Sequence, residues 1–181
     1  MSRTDNLKTD NLKIVRYPDP VLKKKCEEVT AFGPDLADLA LRMFDLMKEA
    51  RGIGLAAPQV GLPVRLFVYN VTGNEADNHL CVNPQLLDLE DAADDDEGCL
   101  SLPGVTVNMR RAISLTLKAQ DAEGNWYERK GDNLLARVWQ HETDHLNGKL
   151  IIDSMSPSDE VANRRAIRKL EDEFKAESRR R

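Results

Sequence analysis

Leu36, Leu39/Ala40, Met43, Leu46/Met47 and Ala50 recur at the three- and four-residue spacing of one helix face, and predict a helix over 34–51. Pro34 suits its first turn, where a missing N–H costs nothing, and Gly52 can close the far end. The apolar run 64–71 predicts a strand, and 80–82 a shorter one. From Ile113 to Asp121 the pattern becomes strict alternation, with Ile113, Leu115 and Leu117 on one side and Ser114, Thr116 and Lys118 on the other. Ala122-Glu123-Gly124-Asn125 then turns the chain into 126–130, which predicts a hairpin. A second helix is predicted over 133–146, with Leu134/Leu135, Val138, His141/Glu142 and His145 along one side. A third begins at Ser156, where Ser156-Pro157-Ser158-Asp159 resembles a capping box, and runs to the C-terminus. Helices mixed with a hairpin sheet give an α+β fold. Mixed or antiparallel sheets are expected around a central helix over 133–146, followed by a C-terminal helix.

Composition narrows the class without choosing a function. The 181 residues are 41% hydrophobic and 31% charged, a globular balance that excludes a collagen-like or wholly disordered chain. The length is that of one domain. It is expected to span 1–181, with 1–12 as a flexible arm where Thr-Asp-Asn-Leu-Lys recurs, and 156–181 as a helical extension. Cys26, Cys81 and Cys99 are odd in number and widely spaced, a poor disulfide framework. No apolar run approaches the roughly 18–20 residues of a membrane span. The polar N-terminus, with Asp5 and Asp10, lacks the apolar core of a secretory signal. A reducing cytoplasm is therefore the expected location, with no membrane partner.

The formal net charge of −5 argues against DNA as a partner, but that charge is uneven. From Glu160 to Arg181 there are eight basic and five acidic residues, or +3, which leaves 18 basic and 26 acidic, or −8, for the rest. Between Asp88 and Glu97 seven of ten residues are acidic and none is basic, a stretch read as a solvated loop. In the terminal helix Ile167, Leu170 and Phe174 form an apolar stripe. Arg164, Arg168, Lys175 and Arg179 fall within about 60° of one another on a different face.

The sharpest chemical signal is His141-Glu142-Thr143-Asp144-His145. On a helix, residues four apart stand one turn above each other, so both imidazoles can reach one metal ion, with the glutamate beside them to act on a water. The chain has three histidines in all, and two of them sit here. A hydrolytic site needs a third protein ligand and an open position. No histidine follows His145, whereas upstream Glu97-Gly98-Cys99-Leu100-Ser101-Leu102-Pro103 offers a cysteine. Two readings of Cys99 stand open on these grounds, a small buried hydrophobe or a thiolate ligand. A third element, Gly52-Ile53-Gly54-Leu55-Ala56-Ala57-Pro58-Gln59-Val60-Gly61, is too rich in glycine for a regular element and too apolar for an exposed loop. It is either a packed connector or a segment that lets backbone approach a ligand, with Gln59 as its one hydrogen-bonding side chain. It lacks the glycine spacing and lysine of nucleotide-binding loops.

In this order and spacing, Gly52–Gly61, Glu97–Pro103 and Gln140–Gly148 resemble the three motifs of the peptide deformylases, and Asp19-Pro20-Val21-Leu22 resembles that family's opening segment. The resemblance covers about residues 12–155. It implies that Cys99, His141 and His145 bind one divalent metal ion, with water completing the coordination. The ion implied is Fe²⁺ in cells, with Zn²⁺, Ni²⁺ or Co²⁺ able to substitute. The reaction implied is hydrolysis of the N-formyl group from the initiator methionine of nascent peptides, releasing formate. Glu142 would be the general base and acid, with the Gln59 amide and the Leu100 N–H donating to the developing oxyanion. Gly54 and Gly98 would pair with the extended substrate, and Ile53, Leu134 and Val138 would line the methionine pocket.

The sequence departs from the family at the pocket rim. Thr106 stands where some bacterial members carry arginine, and Arg137 stands where an apolar pocket residue is expected. Asp144 is expected to pair with Arg111. Some bacterial deformylases dock on ribosomal RNA through a C-terminal helix, which makes the ribosome a candidate partner of the basic face. Two further functions fit parts of the pattern. A zinc peptidase would share only H-E-x-x-H and have no need of Cys99. A catalytically silent ribosome-associated protein would have a broken ligand set, yet here Gln59, Cys99, His141, Glu142 and His145 are all present.

Overall fold

Strand β2 (Leu66–Tyr69) is apolar at every position because both of its faces are covered. Its neighbours, in a computed structural model that describes residues 12–180, are β1 (Gly54–Ala56) and β3 (His79–Glu90). With β6 (Ser114–Gln120) and β7 (Trp126–Asp132) they form a five-stranded antiparallel sheet in the order β1-β2-β3-β6-β7. Side chains alternate between the faces of a strand. Leu66 and Val68 accordingly pack with Leu36, Leu39, Met43 and Met47 of helix α1 (Pro34–Glu49). Phe67 and Tyr69 pack with Ala136, Trp139 and Leu146 of helix α2 (Asn133–Leu146) on the other face. Trp139 and Phe67 are fully buried, each contributing on the order of 1.5–3 kcal/mol through apolar area withdrawn from water.

The remaining strands, β4 (Ala93–Gly98) and β5 (Thr106–Arg111), make a separate two-stranded sheet. Val105, Val107 and Met109 pack there against Leu22, Leu102, Leu150 and Ile151. Helix α3 (Pro157–Ser178) lies over this cluster through Leu170. Asn163 of α3 also donates to the Thr106 carbonyl at 2.7 Å and accepts from the Thr106 N–H at 3.1 Å. The α3 cap is reciprocal: Ser156 Oγ accepts from the Asp159 N–H at 3.2 Å, and Asp159 Oδ2 accepts from the Ser156 N–H at 3.0 Å.

The expected α+β architecture, with α2 at its centre and α3 at its end, is the one found. Three expectations are corrected. The acidic stretch is strand rather than solvated loop: it ends β3 and builds β4, where Asp94 pairs with Arg110 at 3.0 Å and Asp96 accepts from Asn108 at 3.0 Å. Strand β3 is twelve residues long rather than three. It carries register shifts between Val82 and Gln85 and between Leu87 and Glu90, and Asn83 (φ 49°) and Asp88 (φ 50°) take left-handed backbone there. Such bulges break the alternation that marks a strand in sequence. Helix α1 is closed by Arg51 (φ 57°) and by the Gly52 N–H donating to the Met47 carbonyl at 2.9 Å. Gly52 thus helps to close the helix, but the left-handed position falls on Arg51, and the missing side chain of Gly52 instead leaves room for Leu100, whose Cδ1 would stand 2.6 Å from a Cβ there. The expected arm lies outside the described residues except for Leu12. No helix among the described residues is long and apolar enough to cross a membrane.

Candidate metal centre and its cleft

Helix α2 runs with its apolar side on the sheet, so His141 and His145 rise one turn apart toward the end of β4. Cys99 sits in the turn that follows β4. The Cys99 sulfur and one nitrogen of each imidazole all lie within 4.8 Å of one another, and Cys99 Sγ is 3.3 Å from His145 Nε2. Bond lengths of about 2.0–2.3 Å put neighbouring donors of a tetrahedral ion roughly 3.5 Å apart, so this set fits one ion. Two buried polar atoms beside it, Glu142 Oε2 and His145 Nδ1, have no hydrogen-bond partner among the described residues.

Charged groups reach this centre from the small sheet and from α2. Glu97 Oε2 faces His141 Nδ1 at 2.9 Å, and the Glu97 carboxylate accepts from Arg111 Nε at 2.9 Å and Arg111 Nη2 at 3.0 Å. Arg137 Nη1 adds a fourth contact to Glu97 at 2.8 Å. Asp144 pairs with Arg111, as expected from sequence. Burial alone would raise the Glu97 pKa, but hydrogen bonds from His141 and Arg111 outweigh it and hold the carboxyl down at about 2. Glu142 has only a backbone bond from Ala56, and burial, partly offset by the charge of His141, pushes it up to about 7. Burial likewise drives His145 well below the ordinary imidazole value. His141 moves the other way: against the pull of burial, its bonds to Cys99 and Glu97 raise it.

Gln59 lies on a short 3₁₀ turn after β1 and is buried. Its Oε1 accepts from the Ala56 N–H at 2.8 Å, which turns Nε2 toward Ser101 Oγ at 3.3 Å and Cys99 Sγ at 3.5 Å. The Leu100 N–H has no backbone acceptor among the described residues. A cleft of about 580 Å³ opens over these groups, with Ile53, Leu134 and Val138 in its wall. Thr106 and Arg137 line it too. Ile53 is 40% and Leu134 51% exposed, so both stand at its mouth. Gly98 also lines it, and a Cβ there would meet nothing nearer than the Val105 carbonyl at 3.9 Å. Gly54 is different, because a Cβ there would overlap Glu142 Oε1.

The structure thus places Cys99, His141, His145, Glu142 and Gln59 around one cleft, and adds Glu97, not singled out from sequence, as a partner of His141. Its signal was present, an acid two residues before a candidate ligand, but it was masked by six neighbouring acids. Arg137 was singled out only as an oddity, although its place four residues before His141 puts it on the same helix face.

Comparison with known proteins identifies the family. The family model for polypeptide deformylase matches residues 11–161. A peptide deformylase of Acidobacterium capsulatum is 42% identical over 160 residues, covering 87% of this chain and 94% of that one. Another, from Thermodesulfovibrio yellowstonii, is 45% identical over 148 residues, covering 81% and 90%. The crystal structure of a peptide deformylase from Legionella pneumophila superposes with a TM-score of 0.83 at 40% identity, over 94% of this chain and 98% of that one. The chain belongs to the polypeptide deformylase family, whose members are metal-dependent amide hydrolases.

Proposed function

We propose that the deformylase reaction, removal of the formyl group from nascent formylated peptides, runs at Cys99, His141 and His145, with residues 1–181 acting as one catalytic domain. The observation that carries this is the three-ligand cluster within 4.8 Å, with a buried, unpartnered carboxylate oxygen of Glu142 beside it. An ion held there supplies Lewis acidity, enough to activate water near neutral pH and to polarise a carbonyl. We assign Fe²⁺ as the ion in cells, with Zn²⁺, Ni²⁺ and Co²⁺ as substitutes, since one thiolate and two imidazoles accommodate all four.

Glu142 takes a proton from the attacking water and returns one to the amine nitrogen as the C–N bond breaks, leaving formate and a free α-amine. As the formyl carbon becomes tetrahedral, negative charge gathers on its oxygen. Gln59 Nε2 and the Leu100 N–H donate to it, and the Ala56 contact keeps the Gln59 amide the right way round. Cys99 and the histidines hold the ion, and Glu97 fixes the His141 ring through Nδ1. Backbone at Gly54 and Gly98 pairs with the extended peptide between β1 and β4. Ile53, Leu134 and Val138 receive the methionine side chain. The Arg137 guanidinium is engaged elsewhere, so its methylene stem is what it offers the cleft.

The protein acts in the cytoplasm, where new chains emerge, with neither membrane nor DNA as partner. The basic face of α3 (Arg164, Arg168, Lys175, Arg179) docks on ribosomal RNA, an interaction weakened by salt. Leu170 is buried and Asn163 holds Thr106, so removing α3 would damage the fold. Reversing Arg164, Arg168 and Lys175 to glutamate is the cleaner test, and unchanged ribosome co-sedimentation would end this part of the proposal. For the ion, anaerobic purification with metal analysis should find one iron per chain and formate release that decays in air. Air-stable activity with zinc alone would overturn the assignment of iron.

A further inference from the structure

The three proposed metal ligands come from two separate pieces of the fold. His141 and His145 are fixed to α2 and the large sheet, whereas Cys99 belongs to the turn after β4 in the small one. Something must hold β4 and β5 at a constant distance from α2, or the ligand set would change shape with every movement of the small sheet. Three side-chain links do so. Gln140 bonds both the N–H and the carbonyl of Ala112, at 2.9 and 3.0 Å. Arg111 runs from β5 to Asp144 of α2. Arg137 runs from α2 to both strands at once, with Nη1 on Glu97 Oε1 at 2.8 Å and on the Met109 carbonyl at 2.9 Å, and Nη2 on the Ala93 carbonyl at 3.0 Å.

We infer that Arg137 is a positioning residue for the metal centre: by clamping β4 and β5 to α2 and holding the Glu97 carboxylate against His141, it sets where Cys99 stands relative to the two histidines. The inference rests on the ligand set proposed above. Three features carry it. Arg137 stands one helical turn before His141, so its guanidinium and that imidazole address the same carboxylate. Its side chain is only 13% exposed, and its fork spans acceptors at both ends of β4 and in the middle of β5. A lysine ammonium is a single point on a flexible stem and cannot reach these acceptors together, so shape matters here as well as charge. An apolar residue in the same place could line the cleft, but it would take this donor from the Met109 and Ala93 carbonyls and leave Glu97 Oε1 to Arg111 alone.

Partners of this kind are generally worth about 10–100-fold in metal affinity. The test is a Co²⁺ titration of the metal-free full-length chain, read from the visible absorption of bound cobalt against a competing chelator. Arg137→Ala should weaken Co²⁺ binding about tenfold or more and alter the visible band, which reports ligand geometry. Arg137→Lys should recover part of the loss, and it carries the test if the alanine variant fails to fold. Arg110→Ala, which breaks an exposed pair on the same sheet, should bind as the wild type does. Wild-type affinity and an unchanged band in both Arg137 variants would overturn the inference. Failure of the unaltered chain to bind Co²⁺ would instead overturn the ligand set itself.

Discussion

The carboxylate of Glu142 fills the space that a side chain on Gly54 would need. The glycine of β1 thus admits a protein group as well as any substrate backbone. Adding a methyl group there meets only the tip of a flexible side chain, so the fold should tolerate it while the carboxylate is pushed aside. Gly54→Ala is expected to retain its metal and its thermal midpoint, yet lose formate release by about tenfold or more, as displacing a general base does. Metal analysis and kinetics on the same preparation check this.

Glu142 also makes stability depend on pH. Its carboxyl is raised from 4.5 to about 7 by burial, so the native state holds a proton that the unfolded chain has released between those values. The cost of the buried charge is therefore absent below pH 4.5, grows as pH rises, and is complete above about pH 7. A shift of this size corresponds to about 3 kcal/mol at most. Glu142→Gln should raise the melting temperature of the metal-free protein at pH 8 by several degrees and leave it nearly unchanged at pH 4.5. Calorimetry at the two pH values is the check.

Gln59 should divide binding from turnover. Its Nε2 faces the site and its Oε1 is committed to Ala56. Gln59→Ala is expected to lower kcat about 10²–10³-fold, the usual effect of losing one oxyanion donor, with a much smaller change in KM. A raised KM with kcat unchanged would mean that the amide binds the ground state as tightly as the transition state.

The cysteines should separate by reactivity. Burial pushes Cys26 up to about 11 and Cys81 to about 12, so neither offers thiolate at pH 8. Iodoacetamide followed by peptide mass spectrometry should find both unmodified in the folded protein. Cys99 should be labelled after chelation and protected by added Zn²⁺.

How much of this the sequence carried depends on where each group lies. Helix α2 was legible because its helical period and the four-residue spacing of its histidines coincide in one short segment. Cys99 was ambiguous until the resemblance placed its motif, because a lone cysteine has no periodic signature. Strands β4 and β5 escaped because their inward side chains include Glu97 and Arg111, which satisfy each other across the sheet and look like surface charge in one dimension. The same holds for Arg137: nothing local distinguishes an arginine that binds two strand carbonyls from one in water. The bulges of β3 hid its length in a comparable way, since left-handed Asn83 and Asp88 interrupt the alternation.

The most direct measurement is a pair of assays on Glu142→Ala and Cys99→Ala, each analysed for bound metal and for formate released from a formyl-methionyl peptide. Glu142→Ala should keep one metal ion per chain and lose formate release by about 10²-fold or more, whereas Cys99→Ala should lose both. Full formate release by either variant would contradict the account.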